Sequence, residues 1–338
     1  MILVERGYDP VRDIRLALRG ILASAVIMPI LRRAEMPTLL VTGASGFVGS
    51  TLLAMAGRGE LETQASVVPL GDEVDLRQPA LVKNALASSR FDAVIHLAAI
   101  SFVPESFQRP SETYEINLHG TINLLEALKA QGFCGAVLYV SSGDVYGAVP
   151  PEALPITEER IPRPRNPYSA SKLAAEAYCC QIGLNSDLRV LVARPFNHVG
   201  AGQSERFLLP AVAKQMAEIK HGRREARLET GNLDVTRDFS DVRDVVQAYV
   251  RLLAAGEPGE VYNVCSGVER NVGDIVRRML ELAGMRAALD VAEQKLRPNE
   301  QRRHWGSNCK LCDDTAWQPR IPFDEALRDL MRSWKLIG

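Results

Sequence analysis

From Thr38 onward, short apolar runs alternate with stretches of helical period, and this alternation constrains the chain more than any other feature. The runs are TLLVT (38–42), ASVVPL (65–70), DAVIH (92–96), AVLYVS (136–141), LRVLVAR (188–194) and VYNV (261–264); helical patterns lie near 48–57, 77–87, 113–131 and 168–184. Apolar strands separated by helices are buried on both faces, which predicts an α/β fold with a doubly wound parallel sheet. After Asp241, a predicted N-cap, Val242, Val245, Val246, Tyr249, Val250, Leu252 and Leu253 keep the 3.6-residue period. Strands thin out after Arg194 and Pro, Arg and Gly loops become common, which predicts a smaller, discontinuous C-terminal substrate domain. The expected divisions are an N-terminal extension at 1–35, one domain over 36–197 and 236–265, and a second over 198–235 and 266–338.

Composition narrows the function classes. A length of 338 residues suits about two domains. Lys and Arg number 40 against 41 Asp and Glu, a net charge of −1, whereas a nucleic-acid binder needs a basic excess. Six cysteines are too few for a disulfide scaffold, which fits a reducing compartment and a cytoplasmic location. The apolar run from Ile21 to Leu31 is interrupted by Pro29 and is shorter than the roughly 20 residues a membrane span needs. No small-x-small cleavage site follows it, so residues 1–35 read as a tail or an over-long start, and no membrane partner is expected.

Between the first strand and the first helix stands TGASGFVG, which spaces Gly43, Gly46 and Gly49 as G-x-x-G-x-x-G. Gly43 permits a tight turn, Gly46 lets the backbone approach a pyrophosphate, and Gly49 lets the helix pack on the sheet. The helix N-terminus then offers N–H groups and a positive dipole to phosphates, which in this strand–turn–helix setting points to a bound dinucleotide. Around Val67–Asp75 the acids arrive late and no arginine stands at the strand end, so NADH and NADPH both remain open.

Tyr168 and Lys172 stand four apart on one helical face, and Ser142 follows a strand at the carboxyl edge of the sheet. An ammonium beside a phenol lowers its pKa and suits it to protonate a carbonyl oxygen as hydride reaches the carbon, with Ser142 bonding the same oxygen.

With these motifs in place, the chain resembles the extended branch of the short-chain dehydrogenase/reductase superfamily that acts on nucleotide sugars. The supporting residues are TGASGFVG (42–49), HLAA (96–99), INLHGT (116–121), SSGDVYG (141–147), YSASK (168–172) and RPFNHVGAGQ (194–203). The resemblance implies a Rossmann sheet whose cofactor is held by Gly43, Ser45, Gly46, Phe47, Val48 and Gly49, by Asp75 and Leu76 near the adenine, by Leu97, Ala98 and Ala99, and by Tyr168 and Lys172. It implies Ser142, Tyr168 and Lys172 as catalytic residues, and Asn197 and Val199 at the junction of cofactor and sugar nucleotide. GNLD at 231–234 followed by Arg237 is similar to the nucleotide loop of enzymes acting on GDP-mannose derivatives. Arg237 would then clamp a diphosphate, with Arg302 or Arg303 closing from the other side.

Members that eliminate water carry a glutamate where this chain has Asp144, one methylene shorter, so the resemblance favours simple reduction. It implies NAD(P)H-dependent reduction of the C4 ketone of GDP-4-keto-6-deoxy-D-mannose to GDP-D-rhamnose, with Tyr168 as proton donor. The alternative is a GDP-mannose 4,6-dehydratase or a 4-epimerase that retains its NAD(P). A non-catalytic redox sensor would have no use for Ser142, Tyr168 and Lys172 together. Asp144 either orients the substrate or caps a turn. Cys309 and Cys312 form a single pair, short of a zinc site, and no metal is expected. The apolar face Leu173, Ala174, Ala177 and Tyr178 suggests a homodimer seam, since related enzymes often pair through this helix.

Overall fold

A computed structural model of the chain describes residues 37–87, 90–292 and 301–338. The expected N-terminal extension lies outside these residues. In chain order the strands are β1 (Thr38–Thr42), β2 (Ser66–Pro69), β3 (Ala93–His96), β4 (Ala136–Val140), β5 (Arg189–Pro195), β6 (Asn197–Val199), β7 (Arg227–Thr230), β8 (Thr236–Asp241), β9 (Val261–Val264), β10 (Glu269–Asn271), β11 (Ala288–Val291) and β12 (Arg303–His304). The helices are α1 (Phe47–Gly57), α2 (Pro79–Ala87), α3 (Val103–Gln108), α4 (Pro110–Tyr114), α5 (Gly120–Ala130), α6 (Pro167–Leu184), α7 (Leu208–Lys220), α8 (Val242–Ala255), α9 (Val272–Leu282), α10 (Cys309–Thr315) and α11 (Phe323–Ser333).

All six expected apolar runs pair as one parallel sheet in the order β2-β1-β3-β4-β5-β9. Alternate side chains of these strands enter two different cores. Leu39, Val41, Ile95 and Leu138 pack beneath α1 and α8, whereas Leu40, Val94, Val137 and Tyr139 pack against α2, α5 and α6. Asp241 caps α8 as expected, its carboxylate accepting from the Arg243 N–H at 2.7 Å. A π-helical turn at Glu115–His119 leads into α5, where one continuous helix was expected.

The second lobe holds more strand than the sequence reading foresaw. β8 pairs with β6, β10 and β12, and β7 pairs with β11. Residues 236–241, expected to return to the first domain, therefore sit in the second lobe's sheet, and α8 carries the chain back. Leu311 and Trp317, expected in the second domain, bury their side chains in the core beneath the main sheet. These strands escaped notice because they are two to six residues long and carry charges, as in TRDFSD. Two of those charges are internal anchors. The buried Asp238 carboxylate accepts from the N–H groups of Ser266 and Gly267 and from the Ser266 hydroxyl at 2.7–2.9 Å, and Asp241 is the α8 cap.

Candidate active site

The strand order turns back between β1 and β3, and in doubly wound sheets the crevice at such a point receives the ligand. Here the glycine turn leaves β1. Gly43 has φ +67°, and a Cβ on it would lie 2.7 Å from the Ala98 backbone nitrogen. A Cβ on Gly49 would lie 2.4 Å from the Gly43 carbonyl oxygen, so the helix touches the turn directly. Gly46 closes the turn by donating to the Gly43 carbonyl at 3.1 Å, and α1 starts with no acidic residue in its first turn. Beside the start of this turn lies a cavity of about 380 Å³ lined by Gly43, Gly71, Asp72, Asp75, Leu76 and Ala98. This cradle fits a dinucleotide pyrophosphate: backbone donors, a helix dipole and no Cβ in the way.

Around the cavity the expected cofactor residues take distinct positions. The Ser45 hydroxyl donates to Asp72 at 3.0 Å, which brings an unforeseen carboxylate from beyond β2 onto the glycine turn. Asp75 accepts a fork from Arg77 at 2.8–3.1 Å, and those hydrogen bonds lower its pKa to about 2. Leu76 is buried, its carbonyl accepting from Asn123 at 2.8 Å. Val48 and Leu97 pack on the core beneath the sheet, and the Ala98 N–H donates to the Thr42 hydroxyl at 3.2 Å, leading the chain into Ala99. Thr42 in turn donates to Nδ1 of His96 at 2.7 Å, and Nε2 donates to Thr121 at 2.9 Å. Burial lowers the His96 pKa to about 3, so the ring is neutral. Phe47 stacks on His198 with centroids 5.9 Å apart, which joins the glycine turn to the second lobe.

The catalytic expectation brings three residues together. β4 ends at Val140, and Ser142 caps a 3₁₀ turn over Gly143–Tyr146 by accepting from the Asp144 N–H at 3.1 Å. Asn166 caps α6, accepting from the Ser169 N–H at 2.8 Å, and Pro167 occupies the first helical position. Tyr168 thereby sits one residue into the helix, with the Ser142 hydroxyl near enough to its phenol to favour the ionised form. Burial raises the phenol pKa to about 12; the Ser142 hydroxyl pulls it down and the Asp144 charge pushes it up. Lys172 is buried, donates to the Val140 carbonyl at 2.7 Å, and has its pKa lowered by burial to about 8. The expected lowering of the phenol pKa by this ammonium does not hold in the protein alone: burial raises the phenol, the opposing influence comes from Ser142, and the Lys172 ammonium is turned to the Val140 carbonyl.

Several residues that support this group were not anticipated. Asn166 donates to the Asp144 carboxylate at 2.7 Å, which ties the turn to the cap of α6. Asn-Pro before an apolar helix is a start signal that was there to be read. Behind Ser142, the Ser141 hydroxyl donates to Glu176 at 2.9 Å, and Glu176 pairs with Arg194, both side chains being 5% exposed. Arg194 also donates to the Tyr146 hydroxyl at 2.9 Å, which donates to Asn263 at 2.7 Å.

On the second lobe, Asn197 is exposed and donates to the Asp238 carbonyl at 3.1 Å. Val199 was expected at the ligand junction, but its side chain is fully buried in the second lobe's core. Arg237 lies on β8 beside His304 of β12, and Arg303 lies beside Thr236. Arg303 forks onto Glu269 with two 2.7 Å bonds. The exposed Arg302 stands in a bend just before β12, its carbonyl accepting from the Thr236 N–H at 2.8 Å.

The family model described as GDP-mannose 4,6 dehydratase matches residues 70–330. GDP-6-deoxy-D-mannose reductase of Pseudomonas aeruginosa is 48% identical over 297 residues, covering 88% of this chain and 97% of that protein. The structure of RMD from Pseudomonas aeruginosa complexed with NADPH superposes with a TM-score of 0.84 at 47% identity, covering 89% of this chain and 99% of that one. UDP-glucose 4-epimerase of Thermus thermophilus in complex with NAD gives a TM-score of 0.76 at 28% identity, over 88% and 99% of the two chains. With its doubly wound sheet, its glycine cradle and these matches, the chain belongs to the GDP-mannose 4,6-dehydratase family of extended short-chain dehydrogenases/reductases.

Proposed function

We propose that the chain is an oxidoreductase that reduces the C4 ketone of GDP-4-keto-6-deoxy-D-mannose to GDP-D-rhamnose, using NADPH or NADH. The observation that carries this reading is the placement of Ser142 beside the buried Tyr168 phenol, with buried Lys172 one turn along the same helix, at the carboxyl edge next to the glycine cradle. Likeness to the Pseudomonas aeruginosa reductase supports the substrate class.

When bound, the reduced nicotinamide supplies a hydride. The residues of the chain manage the proton and the pose. With the Ser142 hydroxyl beside the phenolic oxygen, both hydroxyls would be in reach of the ketone oxygen. A phenol held near 12 is fully protonated before transfer and becomes a competent acid as alkoxide character develops. Lys172 keeps its ammonium on the Val140 carbonyl, two residues before Ser142. On the second lobe, Arg237 of β8 and Arg302 just before β12 are our candidates for a bidentate diphosphate clamp, and Asn197 stands on β6, which pairs with the same β8. Water elimination needs a base free to take a C5 proton; Asp144 instead holds the Asn166 cap, which supports reduction over a cofactor-retaining dehydratase.

The face of α6 carrying Leu173, Ala174, Ala177 and Tyr178 is our candidate homodimer seam, testable by sedimentation. Among the described residues no helix is long and apolar enough to cross a membrane, and a cytoplasmic site of action suits a sugar-nucleotide substrate.

The test is oxidation of NADPH that depends on the enzymatically generated keto sugar, with the product analysed by NMR. Tyr168→Phe lowers turnover about 100- to 10,000-fold while NADPH binding stays within about twofold of wild type. Release of keto sugar from GDP-mannose, with no consumption of added NADPH, overturns the reading in favour of the dehydratase.

A further inference from the structure

We propose that His304 is the positioning residue for Ser142 and Tyr168, acting from the second lobe through the peptide unit between Gly143 and Asp144. This inference rests on the reductase reading of the site. His304 is buried, and its Nε2 lies 3.2 Å from the Gly143 carbonyl, a partner 161 residues away. A carbonyl only accepts, so Nε2 carries the hydrogen and donates it. The N–H of the same peptide, that of Asp144, donates to the Ser142 hydroxyl oxygen at 3.1 Å. The Ser142 hydroxyl stands beside the Tyr168 phenol and favours its ionised form. Two hydrogen bonds therefore run in one direction, from imidazole to peptide to serine, each polarising the next, and they end on the hydroxyl that faces the phenol.

The packing around the first link leaves little slack. Phe196 lies against the His304 ring at 4.9 Å between centroids. A Cβ on Gly143 would come within 3.0 Å of that phenyl ring, and one on Gly306 within 2.6 Å. The strap carrying His304 is laced to the loop after the turn: Gln301 donates to the Val149 carbonyl at 2.9 Å, Ile156 N–H to the Trp305 carbonyl at 3.0 Å, and Ser307 N–H to the Ile156 carbonyl at 2.8 Å. On its other side the strap is β12, where His304 stands beside Arg237. The residue thus connects the proposed diphosphate face with the reacting pair. Burial lowers the His304 pKa to about 4, so a neutral donor is maintained. The charged and titratable groups facing these links are Asp144 in the turn, Arg237 on β8, Tyr139 on β4 and Tyr249 on α8.

The experiment compares His304→Leu, which removes the donor, with His304→Gln, whose amide N–H reaches the position of Nε2. Expected for His304→Leu is a kcat about tenfold lower, with KM for NADPH within about twofold of wild type. The Tyr168 phenol pKa is read independently of any sugar, by NMR titration of protein labelled with [¹³Cζ]tyrosine and holding NADP⁺, with Tyr168→Phe to assign the signal. It moves upward in His304→Leu, and His304→Gln restores both quantities. If His304→Leu fails to fold, His304→Asn, whose amide stops one bond short, replaces it with the same expected losses. A His304→Leu enzyme equal to wild type in kcat and phenol pKa overturns the inference, as does a His304→Gln enzyme no better than His304→Leu. Failure of wild-type protein to turn over the keto sugar sinks the reductase reading instead, and the NMR titration still decides the role of His304.

Discussion

Gly43→Ala probes the cofactor cradle most directly. At φ +67° an alanine costs about 1 kcal/mol in backbone conformation. Its Cβ would sit 2.7 Å from the Ala98 nitrogen and 2.8 Å from the Ala98 Cα, whereas ordinary contact starts at 3.4 Å. Relief needs a retreat of about 0.7 Å, and Ala98 follows directly on the β1–β3 ladder, so it gives little. Overpacking of that kind costs about 1–3 kcal/mol. The sum, about 2–4 kcal/mol, falls on the conformation that aims the first N–H groups of α1 at the pyrophosphate. At 1.4 kcal/mol per decade, the Kd for NADPH rises about 30- to 700-fold. Gly59→Ala separates the two costs. Gly59 has the same φ of +67° but nothing within 4 Å of its Cβ position, beyond the far end of α1. That variant loses about 1 kcal/mol of stability and binds NADPH normally. Calorimetric titration with NADPH and urea midpoints read both quantities. Binding by Gly43→Ala within about threefold of wild type, or equal weakening in Gly59→Ala, refutes the close-approach argument.

Three further outcomes follow from the same geometry. Arg302→Ala raises KM for the GDP-sugar about 10- to 100-fold by removing a charged phosphate contact, whereas Arg303→Ala, whose fork to Glu269 is largely exposed, changes it less than about threefold; steady-state kinetics separates them. His96 has a folded pKa of about 3 against roughly 6.5 unfolded. The unfolded chain therefore binds the extra proton between those values, and stability falls as pH drops through that window, by up to about 1.4 kcal/mol per pH unit. Urea midpoints for His96→Asn lack this contribution, and an unchanged slope removes His96 as its source. Asp72→Asn takes a negative charge off the cavity beside Ser45 and raises the preference for NADPH over NADH about tenfold, measured as the ratio of kcat/KM values.

The main sheet was legible because its strands state their burial outright. TLLVT, DAVIH and AVLYVS are apolar on both faces, and only a sheet covered twice accommodates that. The second lobe speaks in short, charged strands whose pairing depends on partners 30 to 70 residues away, and whose buried acids satisfy backbone N–H groups. Asp238 looks like a loop acid in sequence, yet it accepts three hydrogen bonds from Ser266 and Gly267. Nothing local distinguishes such an anchor from a solvated carboxylate.

The site divides along the same line, by sequence separation. Tyr168 and Lys172 are readable because helical geometry puts residues four apart on one face wherever the helix lies. The choice between Arg302 and Arg303 is not, because it turns on which of the two is taken up by Glu269, a partner 34 residues away from Arg303. Asp144 shows why residue type alone misleads. Its match to a dehydratase glutamate suggests a role in chemistry, while its bond to Asn166 makes it the tie between the serine turn and the helix of the tyrosine. The relative position of Ser142 and Tyr168 is therefore set on two sides, by Asp144 and Asn166 from within the first lobe and by His304 from the second. A catalytic pair held from both lobes senses whether those lobes are correctly seated on each other, which local motifs cannot express.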